Sequence, residues 1–291
     1  MKPTKFEITG RYLIYAVLIL LSLSALYPFW HVIMYSLSDS KAAMTGGFFL
    51  WPRNFSFSAY ALLLKTPQIL TAYWNTIMRT ALGVAINLAM TATLAYPLSI
   101  RRFRLRGFLS MAIFFTMLFS GGMIPSFLLV RDLKLLDTMW SLLLPGAISA
   151  YNLFIMRNYF QSLPPSLEES ANLDGASPLR ILVSIVLPLS TPVLAALGMF
   201  YGVWHWNSYF DCILFINKPE KQVLQVYLRN ILTITAFGST VSADDRALSS
   251  GMSEETMRMA TIAASVLPIV LIYPWLQKYY VKGVLIGSIK G

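Results

Sequence analysis

The sequence predicts an all-α integral membrane protein with six transmembrane helices. Three observations carry that prediction. Of its 291 residues 56% are hydrophobic and only 12% charged, about half the charged share of an ordinary soluble domain. The apolar residues gather in six runs of 20 to 26 residues, long enough to cross a hydrocarbon layer of ~30 Å as helices. The excess of Lys and Arg over Asp and Glu is shared unevenly between the connections of alternate runs, as in proteins whose short basic loops stay on the cytoplasmic side.

Taken in order, Lys2, Lys5 and Arg11 precede a first span at about 12–34. A cleaved secretory signal is the competing reading, because Ser22-Leu-Ser-Ala25 has suitably small residues. The run continues through Leu26, Phe29, Trp30 and Val32, too far for a signal's apolar region, so an uncleaved span is expected. A turn-rich interval with Gly46-Gly47, Pro52 and Asn54 leads to a second span, about 75–100, which ends at Arg101, Arg102, Arg104 and Arg106. The third, about 107–130, is interrupted by Gly121-Gly122 and Pro125, and the fourth, about 138–160, contains Pro145 and Gly146. A polar elbow occupies 164–180. The fifth span, about 181–206, carries Pro188 and Pro192, and an outer loop, 207–260, separates it from a sixth at about 261–280. The whole of 1–291 reads as one transmembrane domain.

Six spans put both termini on one side, together with the elbow. That side holds 12 of the 23 basic residues against Glu7, Glu168, Glu169 and Asp174. The other holds 11 basic and 9 acidic residues, with Arg79 near a span end among them. The termini and the elbow are therefore expected in the cytoplasm. The net charge of +10 is a topology signal directed at the lipid bilayer and its anionic head groups, with no nucleic acid partner expected. A single cysteine and two histidines leave no material for a cysteine- or histidine-based metal site. No G-x-x-x-x-G-K-[ST] cradle is present, so the chain cannot hydrolyse ATP by that chemistry, and no cofactor of its own is expected. Nor does any span carry the paired acidic and basic residues of an ion relay. Energy for any transport must come from another chain.

In the outer loop, Leu224, Tyr227, Leu228, Ile231 and Leu232 share one face of a helix. Ser253-Glu-Glu is placed to cap the run-in to the last span. This loop could dock a partner or lie on the bilayer.

The elbow is the longest polar interval in the middle of the chain. Pro164-Pro165 stop the preceding span, Ser166 and Glu169 have capping-box spacing, Asp174-Gly175 end a short helix, and Ser177-Pro178 start another. The pattern Glu169-Ser170-Ala171, three residues, Gly175, nine residues, Ile185-x-Leu187-Pro188 resembles the cytoplasmic EAA loop of ABC importer permeases. Ser170 stands where alanine is usual. Leu167 through Ala176 resemble most the carbohydrate-uptake class, such as the smaller maltose permease, as does the ending Gly287-Ser288-Ile289-Lys290-Gly291. The stretch Ser120 to Pro125 resembles the branch that includes lipoprotein-associated permeases for complex or acidic oligosaccharides.

The resemblance implies a type I importer transmembrane domain in a bacterial cytoplasmic membrane. It would be paired as a heterodimer with a second permease, two ATPase subunits that bind ATP-Mg, and an extracytoplasmic solute-binding protein. It implies ATPase coupling through Glu168, Glu169, Ser170, Ala171, Asp174, Gly175, Ala176, Ile185, Leu187 and Pro188, with the last five residues at the same interface. Small residues such as Ser170, Ala171 and Ala176 would let a partner's backbone approach. A sugar is the implied solute. A non-sugar solute, or an ATPase-independent secondary transporter or scaffold, is the alternative.

Broken helices at membrane depth line cavities. Tyr151, Asn152, Tyr201, Trp204, Trp206, Asn207 and Tyr209 are therefore candidates for the solute path. The competing reading of the Trp and Tyr residues is an aromatic belt at the membrane interface. Arg79 could meet an anionic sugar or snorkel to the interface.

Overall fold

The computed structural model describes residues 5–237 and 253–288. Among them there is no strand, only an isolated antiparallel bridge between Ser38 and Phe55. The helices are α1 (Lys5–Ser36), α2 (Ser40–Ala43), α3 (Ser58–Lys65), α4 (Pro67–Ser99), α5 (Arg106–Leu118), α6 (Met123–Asp132), α7 (Trp140–Leu143) and α8 (Ala150–Ser162). They continue with α9 (Pro165–Leu173), α10 (Pro178–Ile181), a π turn (Leu182–Val186), α11 (Leu187–Leu189), α12 (Thr191–Asn207), α13 (Phe210–Phe215), α14 (Leu224–Phe237) and α15 (Glu254–Ser288).

Among the described residues, three helices are long and apolar enough to cross a membrane, Gly10–Ser36, Pro67–Ser99 and Glu255–Ile272, and up to five if each of two bent pairs counts as one span. The span at 107–130, interrupted in the sequence by Gly121-Gly122 and Pro125, is broken between α5 and α6, which meet at 116°. Phe119 is extended and Gly122 has φ +86°, a conformation that glycine adopts without a steric penalty. The run 138–160 is divided as well. Between α7 and α8, Leu144–Ser149 is unwound around Pro145, and α8 at 13 residues is ~20 Å long, too short alone for a ~30 Å layer.

The third departure lies in 181–206, where Pro178–Leu189 and α12 meet at 85°. Pro188 has no N–H to give to the turn below it, and Leu182–Val186 widen into a π turn just before it. Ser190 then breaks the helix, and Pro192 starts α12. Ile185, Leu187 and Pro188 thus belong to a separate arm, not to the helix that continues to Asn207.

The chain forms two compact units. In the first, Met1–Ile69 with Leu228–Pro268, Met34, Tyr35, Ala43 and Phe49 form a small core against which Met259 packs. Asp39 caps α2 by accepting from the N–H groups of Lys41 and Ala42. Ser253 Oγ accepts from Thr256 N–H at 3.2 Å, the expected cap on α15. The second unit, Leu70–Tyr227 with Ile269–Gly291, holds the main core, drawn from α4, α8, α9, the 178–189 arm and α12. The helix expected in the outer loop is present as α14. At its entrance, Val223 and Val226 are buried with Cys212 and Phe215 in a cluster of the second unit. Burial pushes the Cys212 thiol up to about 11. Opposite this cluster, Asp137 (φ +58°) accepts from the N–H groups of Asn217 (2.6 Å) and Lys218 (3.1 Å), and those bonds hold its carboxyl below its usual range.

Candidate functional site

The elbow is a rigid hairpin of two helices. Pro165 occupies the first turn of α9, so Ser166 lies inside the helix and makes no capping bond. The expected Ser166–Glu169 capping box does not form, because a proline at that position, with no N–H to satisfy, starts the helix one residue earlier. The other end follows expectation. Gly175 has φ +78°. Ala176 N–H reaches Ala171 O (3.0 Å) and Gly175 N–H reaches Asn172 O (3.1 Å), the paired bonds of a Schellman closure. Ser177 Oγ then accepts from Arg180 N–H at 3.4 Å and caps the second arm.

The two faces of the hairpin differ. Ala171, Ile181, Leu182 and Val186 are buried in the core with Tyr96 and Leu98 of α4, Met156 and Phe160 of α8, and Val193 and Leu197 of α12, and Ala176, Ile185 and Leu187 pack against it. Ala171 and Ala176 are therefore small because the hairpin seats closely on its own chain. The expectation that they face a partner is corrected. The outward face carries Glu169, Ser170, Asp174, Gly175 and Pro188, all exposed, with two residues that the motif did not single out, Leu173 (89% exposed) and Leu179 (67%). Glu168 faces α4, where it accepts from Tyr96 Oη–H at 3.2 Å. Of the tail, Gly287 and Ser288 end α15, and Ile289, Lys290 and Gly291 lie outside the described residues.

The second constellation is organised by α4. Asn75, Arg79, Gly83, Asn87 and Thr91 recur every four residues and so share one helical face. Each meets the 201–222 region. Asn75 Nδ2 donates to Glu220 O (2.9 Å) and Gln222 O (3.0 Å). Arg79, fully buried, pairs with Asp211 and donates to Ser208 O at 3.2 Å. Both readings of Arg79 as a lipid- or solute-facing cation are thereby corrected. A buried guanidinium needs a carboxylate, and α13 supplies it. Gly83 leaves room for the His205 ring. Asn87 Nδ2 donates to Gly146 O (2.7 Å) and Ala147 O (3.0 Å). That orientation leaves Asn87 Oδ1 to accept from His205 Nε2–H at 2.8 Å. The hydroxyls of Thr91 and Tyr201 share a bond of 2.8 Å.

Asn87 thus satisfies two carbonyls freed by the unwound 144–149 stretch and ties them to α12. Neighbouring Trp204 packs on the same stretch, where a Cβ on Gly146 would stand 2.6 Å from the indole. Between this stretch and α12 lies a cavity of about 580 Å³, lined by Gly146, Ser149, Tyr151, Asn152, Tyr201 and Trp204 with Ile148 and Phe200. A neighbouring one of about 410 Å³ takes in Trp204, Asn207 and Tyr209. Six of the seven path candidates therefore line these two spaces. Trp206 is buried and belongs to neither lining. Tyr201 offers its ring only, since its hydroxyl is held by Thr91 and accepts from Ser149 N–H at 3.4 Å.

Gly83→Ala is expected to lower the thermal midpoint of the purified protein, because the new Cβ would stand 2.2 Å from His205 Nε2. Overpacking of this kind costs about 1–3 kcal/mol. Shortening the ring as well, in Gly83→Ala/His205→Ser, should recover part of the loss in a thermal-shift measurement. An unchanged midpoint in the single variant would mean that the stripe does not govern this packing.

Long apolar helices, spans broken where glycine and proline line cavities, and a capped polar hairpin seated on the core are the features of a membrane permease. The chain belongs to the family of binding-protein-dependent transport system inner membrane components, whose model matches residues 69–286. It is 42% identical over 281 residues, 96% of this chain and 97% of the relative, to the polygalacturonan/rhamnogalacturonan transport system permease protein YtcP of Bacillus subtilis (strain 168). It is 41% identical over 264 residues, 91% of this chain and 89% of the relative, to protein LplC of the same organism. Among solved structures, it superposes with a TM-score of 0.90 at 35% identity, covering 96% of this chain and 99% of the other, on a chain of a bacterial ABC transporter involved in the import of the acidic polysaccharide alginate.

Proposed function

We propose that this protein is one of two permease subunits of an ATP-driven, binding-protein-dependent importer of oligosaccharides, with acidic sugars as the favoured cargo. The observation that carries the coupling role is the two-faced hairpin 164–189. Its inner face is keyed into α4, α8 and α12, and its outer face leaves Leu173, Leu179, Glu169 and Ser170 free. A push on such a joint moves α12 as a lever, because interdigitated side chains transmit strain and do not absorb it. The relatives supply the cargo class, since acidic polysaccharides recur in their names.

In this reading the whole chain is one transmembrane domain. α7 and α8 with the unwound stretch between them form the fourth of six spans, and both termini and the hairpin lie in the cytoplasm of a bacterial cell. Each permease of the pair engages one ATPase subunit through its hairpin and the last residues of its tail, and a solute-binding protein docks outside. ATP is hydrolysed in the partner subunits. Solute passes Tyr151, Asn152 and Trp204, then Asn207 and Tyr209. Purified in mild detergent after expression with its operon neighbours, the permease pair should carry two ATPase subunits, and vesicles should take up oligogalacturonides only with the binding protein and ATP present. A permease that comes away without an ATPase would refute the reading.

A further inference from the structure

The start of α8 is placed for more than shape. The N–H groups of Ala150 and Tyr151 find no acceptor in the helix, since the first turn has none to offer, and Asn87 holds Gly146 O and Ala147 O, the carbonyls that a continuous helix would present. Ser149 caps the turn through Asn152 N–H at 3.4 Å. Asn152 is 6% exposed and lines the 580 Å³ cavity, and its side-chain amide makes no hydrogen bond among the described residues. An amide that lines a cavity without a protein partner is placed to pair with what enters it. Free N–H groups at a helix start carry a partial positive charge and favour an anion, above all in a low-dielectric layer where broken helices flank a cavity. No acidic side chain lines this cavity. In the neighbouring one Asp211 is already paired with Arg79.

We infer that the N-terminus of α8, with the Asn152 amide, is an anion subsite that receives the carboxylate of an acidic sugar unit while its ring lies against Trp204 and Tyr151. The carboxylate accepts from the free N–H groups and from Asn152 Nδ2. Asn87 acts as a positioning residue, keeping the two carbonyls, which would repel an anion, turned away. This inference deepens the oligosaccharide reading above and rests on it for the identity of the anion.

Two measurements on the assembled transporter in proteoliposomes test it separately. First, Ile148→Cys places a thiol in the cavity wall, while the native Cys212 is fully buried. Relative to their rates with a small free thiol, an anionic methanethiosulfonate reagent should label this position faster than a cationic one. Asn152→Asp should reverse the order, and Asn152→Leu, which serves if the aspartate variant fails to assemble, should abolish the preference. Faster cationic labelling with Asn152 intact, or a ratio that ignores both variants, overturns the subsite. Second, uptake of trigalacturonate is compared with that of its methyl ester. Asn152→Asp should raise the apparent KM for the acid at least about tenfold more than that for the ester, as like charges brought together require. Equal loss for both overturns the proposal. If the intact transporter moves neither trimer but still prefers the anionic reagent, the oligosaccharide reading fails and the subsite stands. Acid uptake with an indifferent labelling ratio is the reverse case.

Discussion

Asp211→Ala is expected to leave little of the protein intact in detergent. Its carboxylate is the partner of Arg79, whose side chain is fully buried and whose remaining acceptor is Ser208 O at 3.2 Å. Arg79 Nε has no acceptor at all among the described residues. Removing the acid strands a guanidinium inside the fold, and breaking a buried pair in this way costs about 3–5 kcal/mol. That is a large share of the ~5–15 kcal/mol by which a typical protein is stable. The expected result is a strongly lowered melting temperature by scanning fluorimetry, or loss of the assembled complex on size exclusion. Arg79→Leu combined with Asp211→Leu should be far less harmful, because apolar replacement of a whole buried pair is often neutral. A single variant that melts like the parent would show that Arg79 finds another acceptor.

Gly175→Val is expected to separate ATP hydrolysis from uptake. A Cβ at this position meets nothing within 4 Å, so crowding is not the reason. The reason is φ +78°, a backbone state that costs an ordinary L-residue about 1–2 kcal/mol and a β-branched one more. The valine chain relieves that strain by opening the Schellman turn, and the angle between α9 and the 178–189 arm goes with it. Membrane insertion should survive, since no span is touched. Solute moved per ATP hydrolysed should fall roughly tenfold, the equivalent of about 1.4 kcal/mol of misplacement. Gly175→Asn, which tolerates this conformation, should retain most of the coupling. Normal uptake in the valine variant would remove the hairpin from the mechanism.

Much of the hairpin was legible beforehand because its signals are local. Pro165, Gly175, Ser177 and Pro178 act on the backbone within a few residues of themselves. The exception is instructive. Ser166 and Glu169 have the right spacing for a capping box, yet Pro165 takes the first helical position and leaves them inside the helix. The α4 stripe was visible too, as polar or small residues at every fourth position of an apolar run, but its meaning was not. Nothing in the text of Asn75, Arg79, Asn87 or Thr91 names residues more than a hundred positions away, such as Asp211, His205 and Tyr201. Arg79 was misread for that reason. An arginine near a span end is ambiguous until the carboxylate that neutralises it is in view.

By itself the sequence determined the all-helical membrane class, the capped polar hairpin at 164–180 and the family. Composition, run length and backbone chemistry are properties of short stretches and need no fold to be read. Only the tertiary structure decided that Ala171 and Ala176 face inward, that Arg79 is paired, and that the broken fourth run is held open by Asn87 around a cavity bearing an unpartnered Asn152. Those facts depend on which side chains from distant segments meet, and a buried polar group takes its role from the partner it finds or lacks.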